Sequence, residues 1–125
     1  MIGNIIRTIL LDNPKIKSIV GEEIQPIKVQ SEDLPAICYR VTFIPGRGKM
    51  AQKNQEYQVE LVTFFDSYSD SWELSMLIHE TLEEARRKEF NGRTIADLQC
   101  NSITDDYEYN LDTYGQKINF KVVVC

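Results

Sequence analysis

The chain is poor in the residues that carry most enzymatic chemistry. Among 125 residues there is one histidine, His79, and three cysteines, Cys38, Cys100 and Cys125. No cysteine pair has CxxC spacing and no second histidine exists, which argues against a structural zinc site. The odd cysteine count and the lack of an export signal point to a reducing, cytoplasmic setting. The opening Met1-Ile2-Gly3-Asn4-Ile5-Ile6-Arg7 has too short an apolar run for export. Nowhere does an apolar run approach the ~20 residues of a membrane helix, so no membrane partner is expected. Basic residues are also short: 14 against 19 acids, a net charge of −5. Phosphate-backbone affinity needs clustered Lys and Arg, so a dedicated nucleic-acid binder is disfavoured. An acidic surface instead favours solubility and repels DNA.

What is present suits a single globular domain spanning 1–125. Hydrophobic residues make up 42% and charged residues 26%, ordinary for a soluble fold. Aromatic and β-branched residues are too plentiful for disorder. A domain of this length buries roughly two-thirds of its unfolded surface. There is no internal repeat, low-complexity tract or linker.

Ile2, Ile5, Ile6, Ile9 and Leu10 recur at helical spacing and predict an N-terminal helix. Asn13 is placed to cap a second turn, with Pro14 at its first position. Ile16, Ile19 and Val20 give that turn an apolar side, and Gly21 stops it. Ile24–Val29 reads as a short strand. Ala36–Ile44 reads as another, with Ile37, Tyr39, Val41 and Phe43 toward the core. Pro45–Asn54 reads as a hairpin loop with three cations, Arg47, Lys49 and Lys53, and no acid. The strand after it runs to Phe65. Tyr57, Val59, Leu61, Thr63 and Phe65 share one face. Val62 and Phe64 make the end of the other face apolar, so a helix or another subunit should cover it.

A long amphipathic helix is predicted at about residues 70–89, the length of two or more ordinary turns beyond a minimal helix. Asp70 is its expected cap, with Glu73 completing a capping-box pair. Leu74, Leu77, Ile78, Thr81, Leu82 and Ala85 recur at helical spacing and form its docking stripe. Arg86, Arg87 and Lys88 suit the dipole of its last turn, and Asn91-Gly92 ends it. Thr94–Thr104 is the next strand, broken by Asp105-Asp106, with Tyr107–Leu111 continuing an alternation. A last strand carries Ile118, Phe120, Val122 and Val124 on one side. The fold class is therefore α+β: one domain, a mostly antiparallel or mixed sheet, an N-terminal helix and one long helix.

The candidate sites are surfaces rather than reaction centres. His79 has no nucleophile partner in view and reads as a helix-rim residue. Gly46-Arg47-Gly48-Lys49 lacks phosphate-loop spacing; a hairpin tip or a partner-binding arm fits it better. Trp72 and Met76 lie one turn apart, off the main stripe. Either the core is wide enough for both or they form an exposed patch for a subunit. Tyr107, Tyr109 and Tyr114 stand among acids, which disfavours stacking on single-stranded nucleic acid and favours strand pairing or an interface. The interaction candidates are thus Arg47, Lys49, Lys53, Phe64 and Trp72, with no catalytic, cofactor or metal residue.

The order of segments resembles the tail terminator proteins (tail-completion, or tail-to-head joining proteins) of long-tailed phages and prophages. The resemblance rests on the N-terminal helix followed by Ile19-Val20-Gly21-x-x-Ile24-x-Pro26, then on Leu34-Pro35-Ala36-Ile37-Cys38-Tyr39. It continues through Phe65-Asp66-Ser67-Tyr68 and the helix Ser71–Ala85. Asp106-Tyr107-Glu108-Tyr109 and Ile118-Asn119-Phe120-Lys121-Val122 complete it. It implies a mixed sheet flanked by helices and a structural virion-assembly role without cofactor or catalysis. The subunit, sometimes monomeric in solution, would form a ring, usually hexameric, on the tail tube. That ring would bind the tail tube protein, end tube growth and meet the head connector or head-completion protein. DNA would pass through its lumen without specific binding. The protein would act in the host cytoplasm during assembly and stay at the head–tail junction of the virion. The basic loop from Arg47 to Lys53 departs from the family pattern in length and charge. Two other readings stay open: another phage neck protein, such as a head-completion protein, and a small metal-dependent nuclease using Glu22, Glu23, Asp105 or Asp106.

Overall fold

The computed structural model describes residues 2–21, 24–26, 35–45, 55–90, 92–108 and 113–125. Two helices come first, α1 (Ile2–Leu11) and α2 (Pro14–Val20), followed by strands β1 (Ile24–Pro26), β2 (Ala36–Ile44) and β3 (Gln55–Phe64). The long helix α3 (Tyr68–Glu84) precedes β4 (Glu89–Phe90), β5 (Arg93–Glu108) and β6 (Thr113–Val124). The strand order is β1-β2-β3-β6-β5-β4. β1 runs parallel to β2, and the remaining five strands form an antiparallel, curled sheet. This is the α+β single domain that the periodicities imply. No described helix is long and apolar enough to cross a membrane.

The core lies between the helices and one face of the sheet. Ile2, Ile5, Ile6, Ile9 and Leu10 of α1 are all buried, as their spacing requires. They meet Ile37 and Tyr39 of β2 and the α3 residues Leu74, Ile78 and Leu82 in one cluster. Val59 and Leu61 of β3 and Ile118, Phe120 and Val122 of β6 floor it. Asn13 caps α2, its Oδ1 accepting from Lys15 N at 2.9 Å and Ile16 N at 3.4 Å. Gly21 closes α2 through its N–H to Lys17 O.

Several boundaries differ from expectation, each for a local reason. α3 starts at Tyr68, with Ser67 as N-cap and Asp70 inside the first turn. It stops at Glu84 rather than about 89, because backbone bonds to β5 take over. Arg87 N donates to Ile95 O, and Ile95 N donates to Lys88 O. Arg86, Arg87 and Lys88 therefore lie past the helix. Arg86 instead donates to Leu98 O at 2.8 Å and pairs with Asp97 at 3.8 Å. Phe90 pairs with Arg93, so the residues around Gly92 (φ +79) reverse the chain between strands instead of ending the helix; glycine tolerates that φ.

The expected break at Asp105-Asp106 does not occur. β5 continues to Glu108, with Asp105 opposite Gln116 and Asp106 opposite Gly115. Ladder pairing overrides the turn preference of Asp. Phe43 is 50% exposed rather than in the core. It stands near the end of the β2–β3 pair where the chain passes from one strand to the other, and its ring meets Tyr57 across the strands at 5.4 Å. β1 is described only to Pro26, and 27–30 lie outside the described residues. The basic loop 46–54 also lies outside them, but Ile44 opposite Glu56 gives the antiparallel register that a hairpin needs.

Candidate functional site

Three groupings of side chains stand out among the described residues. The first joins the start of α3 to β3, β5 and β6. Thr63, Ser71, Ser75 and Gln116 are fully buried polar residues. Gln116 is their centre: its Nε2 donates to Ser71 Oγ at 3.0 Å, and its Oε1 accepts from Ser75 Oγ at 2.7 Å. Its backbone N–H donates to Thr63 Oγ1 at 2.9 Å. The network reaches the surface at Asp105. There Trp72 Nε1 donates to Oδ1 at 2.9 Å, Tyr68 Oη to Oδ2 at 3.0 Å and Gln116 Nε2 to Oδ1 at 3.3 Å.

Gly115 makes that junction possible. A Cβ there would overlap the carbonyl oxygen of Thr63, so only glycine lets β6 pass this close. Phe65 and Tyr114 then exchange two backbone bonds, both 2.8 Å. Tyr114 stacks edge-on against Tyr68 at 6.1 Å.

The second grouping is an open furrow between α2 and α3. One stretch, of about 540 Å³, has Ile19, Trp72, Met76 and Leu77 as its apolar lining, with Lys15 and Glu80 among its charged edges. A second stretch of about 640 Å³ shares Lys15, Leu77 and Glu80 and runs on past Thr81 to Phe90. Met76 is 44% exposed and Trp72 is half-buried. Of the two readings, the core takes part of Trp72 and leaves Met76 outside.

The third grouping lies on the helix-free face of the sheet. Phe64 and Val62 are half-buried there. They line a hollow of about 80 Å³ with Cys38, Tyr39, Arg40 and Glu60. Burial pushes the Cys38 thiol above its ordinary value, against the pull of a backbone hydrogen bond at Tyr39 and of Arg40. Burial likewise raises Cys100, and Glu83 adds to it.

The sequence candidates are thus dispersed. Trp72 lines the furrow, Phe64 lies on the helix-free face, and Arg47, Lys49 and Lys53 lie outside the described residues. Glu22, Glu23 and Tyr109, and the side chains of Asp106 and Tyr107, lie outside them too. His79 is at the helix rim, with Nε2 3.6 Å from Glu83 Oε1. Asp105 has both carboxylate oxygens occupied by donors from the protein. Among the described residues no group of three His, Cys, Asp or Glu gathers to hold a metal ion.

Sequence reasoning missed the Gln116 network. Its only signals were Ser71 and Ser75, four apart on α3, and Thr63 on an otherwise apolar strand face. Compared with protein-family models and with curated proteins, the chain matches none.

Proposed function

We propose that the chain is a structural subunit of phage or prophage tails that caps the tail tube, ends its elongation and joins tail to head. The observation that carries the reading is the order of segments along nearly the whole chain. The N-terminal helix, the Ile24-x-Pro26 and Leu34–Tyr39 segments, the strand into Phe65–Tyr68, the long helix and the final strand follow the tail terminator layout.

Physical features support it. All described helices pack on one side of the sheet. From Asp97 to Glu108 no described strand lies on the outer edge of β5. Such a long edge invites association unless it is managed; bulges at Ile95/Asp97 and Cys100/Ser102 irregularise it, which restricts what can pair there. A net charge of −5 suits a ring whose lumen passes DNA without holding it. In this reading the partners are other copies, usually six in a ring, the tail tube protein and a head connector or head-completion protein. The place is the head–tail junction, after assembly in the host cytoplasm. No cofactor takes part.

The test is reconstitution. Purified chain is added to the polymerising tail tube protein of the same phage or prophage, and tube lengths are measured by electron microscopy. Tubes that stop growing, with extra density at one end, are expected. Unchanged growth and bare ends would overturn the reading.

A further inference from the structure

We infer that the Trp72–Leu77 stretch of the α2–α3 furrow is a docking groove for residues 46–54 of a second copy of this chain. The inference rests on the assembly reading above and names the contact that would join neighbouring subunits.

The groove has an apolar floor at Trp72, Met76 and Leu77, left open among the described residues. Its rim carries Glu73 and Glu80 against one cation, Lys15. α3 carries Asp70, Glu73, Glu80, Glu83 and Glu84 and no Lys or Arg, and all five acids are exposed.

The chain holds one segment of matching chemistry. Residues 46–54 read Gly-Arg-Gly-Lys-Met-Ala-Gln-Lys-Asn, with three cations, no acid and Met50 as an apolar anchor. Methionine suits an irregular, apolar floor. Opposite charge on the rim guides docking and fixes register.

Geometry favours a second copy over the same one. The segment joins β2 to β3 at the Ile44/Gln55 end of the sheet, where Gln55 pairs with Val124. The Trp72 end of the groove is tied through Asp105 to Gln116, beyond Lys117, which pairs with Val62. The 10 residues of β3 separate those ends by ~30 Å at ~3.3 Å per residue. The far stretch of the furrow returns to the Gln55 end at Phe90, which pairs with Arg93, a donor to Gln55. The separation therefore belongs to the Trp72 stretch. Donor and acceptor so placed make a head-to-tail contact, the kind that forms rings when its rotation closes.

Trp72 is the only tryptophan, so tryptophan emission comes from this one residue, which lines the groove and is held by Asp105. The experiment titrates a synthetic peptide of residues 44–56 onto the dilute full-length chain. A saturable shift in Trp72 emission is expected. Reversing Arg47 and Lys49 to Glu in the peptide should weaken binding roughly tenfold or more, with the protein itself untouched. Glu73→Lys with Glu80→Lys in the chain should do the same with an unchanged circular-dichroism spectrum.

No response to the native peptide, or equal binding of the reversed peptide, would overturn the docking. So would a Trp72 shift in the dilute chain caused by its own Arg47→Glu and Lys49→Glu, which would mean the segment occupies its own groove. A chain that limits tube growth but leaves Trp72 unmoved by peptide contradicts this docking alone. One whose Trp72 responds but that leaves tubes growing supports the docking and contradicts the capping function.

Discussion

Helices α1 and α3 cover the same sheet by different means. α1 docks mainly through Ile2, Ile5, Ile6, Ile9 and Leu10, with Arg7 Nε donating to Ile24 O at 3.3 Å beside them. α3 uses Leu74, Ile78 and Leu82 but also buries Ser71 and Ser75 against Gln116 and Thr63. Apolar contact is non-directional, so it holds α1 down without dictating its position closely. A satisfied polar network is directional and tolerates one register. The difference assigns adhesion to α1 and alignment to α3, whose outer side carries the furrow.

Breaking the alignment where the backbones touch should have the largest effect. Gly115→Ala would force β6 away from Thr63 and cost above ~4 kcal/mol, the range reserved for severe strain. Urea unfolding should find a chain that is largely unfolded or has lost most of its stability. Breaking the adhesion is next. Ile6→Ala removes a fully buried side chain and should cost ~2–5 kcal/mol, read by the same urea midpoint with an unchanged slope.

Gln116→Leu sharpens the comparison. It leaves buried hydroxyls of Ser71, Ser75 and Thr63 short of partners, and should cost ~1–3 kcal/mol. Adding Ser71→Ala and Ser75→Ala should then restore stability in part, since removing both partners is nearly neutral. Additive losses would show that the four residues do not act as a unit.

A smaller effect is expected at the exposed end of the network. Asp105→Asn keeps the shape but weakens the bonds from Trp72 and Tyr68, at about 1 kcal/mol. Trp72 emission should shift while the melting temperature falls by only about 4 °C. The smallest concerns the thiols. Burial raises Cys38 and Cys100 in the folded chain, so the unfolded chain loses its thiol protons first as pH rises. Their contribution is complete below roughly pH 8.5, the unfolded thiol value, and declines above it. Cys38→Ala should flatten the alkaline part of the stability curve.

The same contrast decides what was legible in the sequence. The isoleucines of α1 advertise their helix by spacing alone, and the alternation from Tyr57 to Phe65 advertises β3. Asn13-Pro14 marked the start of α2 because capping is local. The end of α3 was not legible, because Arg86 to Lys88 suit a helix terminus equally well. What stops the helix is Ile95, eight positions beyond Arg87, reaching back to pair with it. Asp105 read as a breaker for a similar reason: its donors, Tyr68 and Trp72, are more than thirty positions away. Phe43 has core chemistry, but it lies on a stretch of β2 that no helix reaches. Of the interaction candidates, Trp72 was legible from its place off the α3 stripe. The groove beside it needs Ile19 and Lys15 of α2, which no spacing rule brings to α3.

The most direct test of the central claim is electron microscopy of lysates from the phage or prophage with this gene deleted. The account predicts headless tails of abnormal length beside full heads without tails. Normal tails joined to normal heads would contradict it.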